Sequence, residues 1–212
     1  MNRLPRPVYI RLERYSANVT VDHHTHNWGQ LTYSLSGIMR VETTQGSYVI
    51  PPQYALWIPK DMQHRATMVT PTEFRSLYID EPFNSDFPLE CVVYEVSSLV
   101  RELIKGFGEI SPEYDETSAD GRLVHVMMDQ LVRLPITPLY LPLPKDPRLE
   151  SMTTSVLDNP SDSRTLSEWA DTLQTSTRSL SRWFETDLGI GFREWKQHVV
   201  YLAALQRGVA EC

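Results

Sequence analysis

Residues 135–147 read PITPLYLPLPKDP and carry five prolines, at 135, 138, 142, 144 and 147. Proline has no amide hydrogen to donate and a fixed φ, so this run forms neither a helix interior nor a central strand. It reads as an extended, semi-rigid linker between two folded parts, or as an ordered loop lying on one of them. Each side must then bury a core of its own. With 212 residues there is enough chain for both.

The two sides differ in hydrophobic period. Short strand-like runs fall at 9–14, 31–35, 38–44, 48–50, 55–58, 65–70, 74–80 and 91–96. Turn signals separate them: Gln45-Gly46, Pro51-Pro52-Gln53, Pro59-Lys60-Asp61 and Pro71-Thr72. Many short strands at regular spacing predict a barrel or sandwich. After Val96 the period becomes helical. Ser97 caps a predicted helix over 98–107, and a second runs over 118–134. On that second helix Leu123, Val126, Met127, Gln130 and Leu131 share a face, suited to a homodimer interface or to bracing the barrel. Beyond the prolines, Asp146 caps a helix with Pro147 at its first position, running to 157. Further helices are predicted over 166–172, 177–187 and 192–207, with Gly189 and Gly208 at C-cap positions. The expected class is α+β multidomain: a β-barrel over 1–96, a helical dimerisation or brace segment over 97–134, the linker at 135–147, and a helical subdomain over 148–212.

Composition narrows the function. The net charge of −7 excludes a broadly basic nucleic-acid binder, so any contact with DNA must rest on a local motif. Two cysteines, Cys91 and Cys212, make no disulfide framework and suit a reducing compartment. The N-terminus lacks an apolar signal region and no apolar run spans a bilayer, so the expected location is cytoplasmic, without membrane association.

The densest chemistry is His23-His24-Thr25-His26-Asn27-Trp28-Gly29-Gln30. On a strand, alternation puts His24 and His26 on one face, with Gln30 joining them and His23 turned to solvent. His64 follows a turn and belongs on a neighbouring strand able to reach the same point. Three imidazoles suit one divalent metal (Zn, Ni or Fe), or else a polar pocket for an organic effector. Trp28, Tyr33, Trp57, Phe74 and Tyr78 are the aromatic candidates to line that pocket; for each, filling the barrel interior is the plainer alternative.

A second constellation spans 165–185. Thr165 with Glu168 forms a capping box, Ser176 caps the next helix, and Gln174 occupies the turn position that glycine usually takes. Trp169, Leu173, Leu180 and Trp183 are spaced to pack the two helices together. This leaves Ser176, Thr177, Arg178, Ser181 and Arg182 on the second helix as candidate DNA contacts, or else as a solvated face.

Both constellations resemble known families. His24-x-His26, three residues, Gln30, six residues, Gly37 resembles the first cupin motif with Gln in place of Glu. Pro59-Lys60-Asp61-Met62-Gln63-His64 resembles the second, with Asp in place of Gly. Thr165-Leu-Ser-Glu-Trp-Ala170, Ser176-Thr-Arg-Ser-Leu-Ser-Arg-Trp-Phe184, Leu188-Gly189 and Phe192-Arg-Glu-Trp195 are similar to the first half of an AraC/XylS-type DNA-binding domain. A cupin sensor followed by that module is this family's architecture. The resemblance implies a transcription regulator that binds a small-molecule effector or metal through His24, His26, Gln30 and His64, dimerises, and binds promoter DNA. The sequence ends after the helix that would join two helix-turn-helix units, and 161–212 holds six basic against seven acidic residues, so weak DNA binding is expected of this chain. The alternatives are a metal-dependent cupin oxygenase or isomerase using His24, His26 and His64, and a dimerisation module that pairs with a longer relative.

Overall fold

The computed structural model describes residues 3–137, 140–142, 144 and 146–210. The linker expectation falls partly on 138, 139, 143 and 145, which lie outside the described residues, as does Cys212. The chain divides into two compact units, Met1–Pro138 and Leu139–Cys212.

In the first unit the strands are β1 (Val8–Tyr15), β2 (Thr20–His24), β3 (Gly29–Ser36), β4 (Met39–Thr43), β5 (Ser47–Ile50), β6 (Tyr54–Ile58), β7 (His64–Met68), β8 (Thr72–Ile79), β9 (Val92–Glu95) and β10 (Ile136–Thr137). One antiparallel sheet has the order β1-β8-β3-β6-β9-β10; a second carries β5-β4-β7-β2 in this unit. Alternation assigns each face of the first sheet its task. Leu31, Tyr33, Ala55, Trp57, Leu77 and Ile79 point one way and build the core against two helices, α1 (Ser98–Phe107) and α2 (Ala119–Leu131). Gln30, Thr32, Phe74 and Tyr78 point the other way, into the space shared with the second sheet.

The helices start where their caps predict. Ser97 Oγ accepts from the Val100 amide, and Ser118 Oγ accepts from Asp120 and Gly121. The position of α2 corrects the expected dimer face. Met127 and Leu131 are fully buried against the sheet, and Leu123 packs on the same core. Gln130 is half-buried, while Val126 stays exposed. The apolar stripe was real, but the sheet of its own unit covers it. The segment from 97 to 134 is accordingly part of the first unit. The first linker residues also belong there: Ile136 pairs with Tyr94 and Thr137 with Val93, as a sheet edge, where the preceding Pro135 is tolerated.

The second unit holds a short strand, β11 (Tyr140–Leu141), and four helices: α3 (Pro147–Asp158), α4 (Leu166–Thr172), α5 (Thr177–Leu188) and α6 (Phe192–Ala210). Asp146 caps α3, and the Thr165–Glu168 capping box at α4 is complete in both directions. The core centres on Phe184 and Trp195, with ring centroids 5.6 Å apart, and Phe192 lies 5.5 Å from Phe184. The Trp195 indole donates to the Pro142 carbonyl at 2.9 Å, so the buried ring leaves no donor unmatched. Phe184 fills the place in this core that spacing assigned to Trp183. Trp183 is half-buried, with the Arg148 guanidinium 4.0 Å above its ring. Between α4 and α5, Gln174 adopts φ +52°, the left-handed conformation that the tight turn requires.

Candidate functional site

Between the two sheets of the first unit lies a cavity of about 290 Å3. Its polar end is built by three histidines. β2 pairs with β7, and after a register shift His24 stands opposite His64. His26 does not lie on a strand; it sits in the connection from β2 to β3. That connection is held by the Asp61 amide, which donates to the His26 carbonyl at 2.7 Å. Asp61 has φ +62°. The left-handed turn explains the Gly of the motif at this position, and Asp is among the residues that tolerate it. His23 is exposed and is not one of the three rings of the cluster.

The ring centroids are 4.3 Å (His24–His64), 4.9 Å (His24–His26) and 5.1 Å (His26–His64) apart. One nitrogen from each ring lies within 4.8 Å of the others. Hydrogen bonding decides which nitrogens carry the protons. His24 Nδ1 meets the Asp22 carbonyl at 2.7 Å and His64 Nδ1 meets the Met62 carbonyl at 2.9 Å. A carbonyl only accepts, so both Nδ1 atoms donate and both Nε2 atoms keep a lone pair. His26 is fixed in the opposite sense. Gln30 Nε2 donates to Thr32 Oγ1 at 2.8 Å and to Ser76 Oγ at 3.0 Å. Its Oε1 therefore accepts from His26 Nε2 at 2.8 Å, leaving the lone pair on His26 Nδ1. All three rings thus have their tautomers set by an outer partner, as metal-binding histidines do. His64 Nε2 is buried and has no partner among the described residues. Burial pushes the His64 imidazole down to about 4 and also lowers His26, so both are neutral near pH 7. An orphaned buried acceptor beside two more lone pairs fits a bound cation; the three histidines have the chemistry to hold a metal.

The five aromatic candidates separate by face. Phe74 and Tyr78 line the cavity. Trp28 is buried behind His26, its ring stacked on the imidazole at 5.8 Å. Tyr33 and Trp57 do not reach the cavity: they occupy the helix-facing side of β3 and β6. Trp57 stacks on Phe87 at 4.3 Å and donates to the Pro88 carbonyl. Arg11, Glu13 and Tyr15 line the cavity and were missed by sequence reasoning. Their signal was the alternation of β1, where these three share one face. Arg11 and Glu13 form an ion pair at 3.0 Å, and Val21, Met39, Val41, Ile58 and Ala66 supply apolar wall.

In the second unit, Ser176, Thr177, Arg178 and Arg182 are exposed on α5 and Ser181 is half-buried. Ser176 is also the helix cap, accepting from the Ser179 amide, and Ser181 donates to Glu185 at 3.1 Å.

Two antiparallel sheets closed over a small cavity of mixed polar and apolar lining, with a histidine cluster at one end, define a ligand-binding domain of cupin-like build. The AraC-like ligand binding domain family matches residues 7–123. The HTH-type transcriptional regulator NimR of Escherichia coli (strain K12) is 31% identical over 183 residues, covering 86% of this chain and 67% of the relative. The chain belongs to the AraC family, and spans about two thirds of the length of that relative. Among solved structures, apo ToxT K231A of Vibrio cholerae is similar at 12% identity, covering 92% of this chain and 80% of that one, with a TM-score of 0.45. Wild-type ToxT bound to an unsaturated fatty acid is similar at 14% identity, covering 98% and 84%, with a TM-score of 0.44.

Proposed function

We propose that this chain is a cytoplasmic, ligand-responsive transcription regulator. The cavity of the first unit takes a small effector; the α4–α5 pair of the second is a helix-turn-helix that contacts promoter DNA. The observation that carries the reading is a preorganised cavity inside a domain of the AraC family, followed in the same chain by two helices joined through a left-handed turn. Among the described residues no helix is long and apolar enough to cross a membrane. His24, His26 and His64 would hold one divalent metal (Zn, Ni or Fe), which supplies a Lewis-acidic centre for a ligand when bound. Gln30 fixes the tautomer of His26, and the chain's own carbonyls fix the other two rings. For homodimerisation, the large apolar residues that α1, α2 and the residue after α2 leave exposed are Leu99, Val126 and Val132; of the face first expected, Val126 alone is among them.

The effector acts only through unequal affinity for two conformations. The same histidines would suit a metal-dependent oxygenase or isomerase, but such an enzyme has no use for α4 and α5.

The test is selection from a random duplex library at low salt. The expected result is an enriched sequence bound roughly tenfold over random duplex. Arg178→Ala and Arg182→Ala should each weaken that complex by about 1–3 kcal/mol where the arginine reads a base. Six basic residues in 161–212 predict micromolar rather than nanomolar affinity at physiological salt. Failure to enrich any sequence overturns the DNA reading.

A further inference from the structure

The geometry points to a small carboxylate as the effector, bound as a further ligand of the cation that His24, His26 and His64 hold; this rests on reading the trio as a cation site.

Charge selects the ligand. Three imidazole ligands bring lone pairs and no negative charge. The cupin-motif position where a carboxylate would compensate the ion is Gln30. Its amide offers no free group either: the oxygen accepts from His26, and the nitrogen donates to both Thr32 and Ser76. Lining the same cavity, Arg11 and Glu13 are paired at 3.0 Å and sum to zero. A divalent ion on the trio therefore keeps both its charges, in a cavity whose walls mix apolar Val41, Ile58 and Phe74 with the uncharged polar groups of Tyr15, Thr32 and Tyr78. Uncompensated charge in such surroundings is expensive, and an anion entering beside the ion removes most of that penalty. Three protein ligands leave at least one coordination position for it. At about 290 Å3 the cavity lies at the small end of ligand pockets, which run from roughly 300 Å3 upward, and this limits the body behind the carboxylate.

The test uses the full chain loaded with Co2+, whose visible spectrum reports its ligands. Acetate is the probe and acetamide its neutral counterpart. The expected result is one equivalent of Co2+ and a spectrum that shifts saturably with acetate. Acetamide should bind at least roughly tenfold more weakly. In Gln30→Glu the protein supplies its own carboxylate, and acetate affinity should fall by at least roughly tenfold while Co2+ is held more tightly. If Co2+ binds through the histidines but acetate leaves the spectrum unchanged, or acetamide matches it, the carboxylate inference is overturned and the cation site stands. If wild-type protein binds no Co2+, both are overturned. The comparison of acetate with acetamide on wild-type protein stands without the variant, should Gln30→Glu fail to fold.

Discussion

Gly29→Ala is expected to destabilise the first unit by about 3 kcal/mol, the upper end of overpacking effects. A Cβ at residue 29 would sit 1.9 Å from Trp57 Cη2 and 2.7 Å from Asn84 Oδ1. Trp57 is only 1% exposed and stacked on Phe87, so it has nowhere to move. The strain would instead pass into the start of β3, where the next residue is Gln30, the partner that sets the His26 tautomer. Chemical denaturation should show the loss as a lower midpoint with an unchanged slope. Gly29→Ala combined with Trp57→Phe should lose less than the sum of the two single changes, because the smaller ring vacates the space that the new methyl needs. Strict additivity would mean that the two residues do not compete for that space.

The second large effect is in pH. An unfolded histidine titrates near 6.5, whereas His64 in the folded chain lies at about 4 because it is buried. Between those values the unfolded chain binds more protons. Stability is therefore full above pH 6.5 and falls as the pH drops toward 4. For His64 the loss between pH 7 and pH 5 is about 2 kcal/mol. His26, lowered in the same sense by burial, adds to it. Urea midpoints measured with a chelator present should drop across this range, and His64→Gln should flatten most of the drop. An equal slope in His64→Gln would place the titrating group elsewhere.

Helix N-termini were the most legible part of the fold because capping is local chemistry; at the C-terminal end Gly208 proved a poorer guide, since α6 runs through it to Ala210. Ser97, Asp146, Thr165 and Ser176 each accept the amide bond that their sequence context predicts. The face that an apolar residue presents was readable only within its own element. Met127 and Leu131 announce a stripe, but nothing in one helix says whether the stripe meets a second copy or its own sheet; the structure gives it to the sheet. Tyr33 and Trp57 illustrate the same limit on strands. Alternation separates Tyr33 from Gln30 and Thr32, yet only the sheet order reveals which face looks onto the cavity. At the site, the histidine types and spacing were visible in the sequence. The placement of His26 in a loop was not, because the register shift between Val21 and His24 breaks the simple strand period. The tautomer of His26 was also beyond reach, since it depends through Gln30 on Thr32 and on Ser76, forty-six residues from Gln30.

The most direct test of the account is the metal content of untagged protein, by elemental analysis before and after dialysis against a chelator and again after reconstitution with Zn2+, Ni2+ or Fe2+. The three lone pairs converging from His24, His26 and His64 predict close to one equivalent in wild-type protein. Chelation should remove it with the fold retained, and His24→Ala and His64→Ala should not regain it. Folded wild-type protein that takes up none of the three ions would contradict the cation site and leave the histidines as hydrogen-bonding groups of an organic-effector pocket.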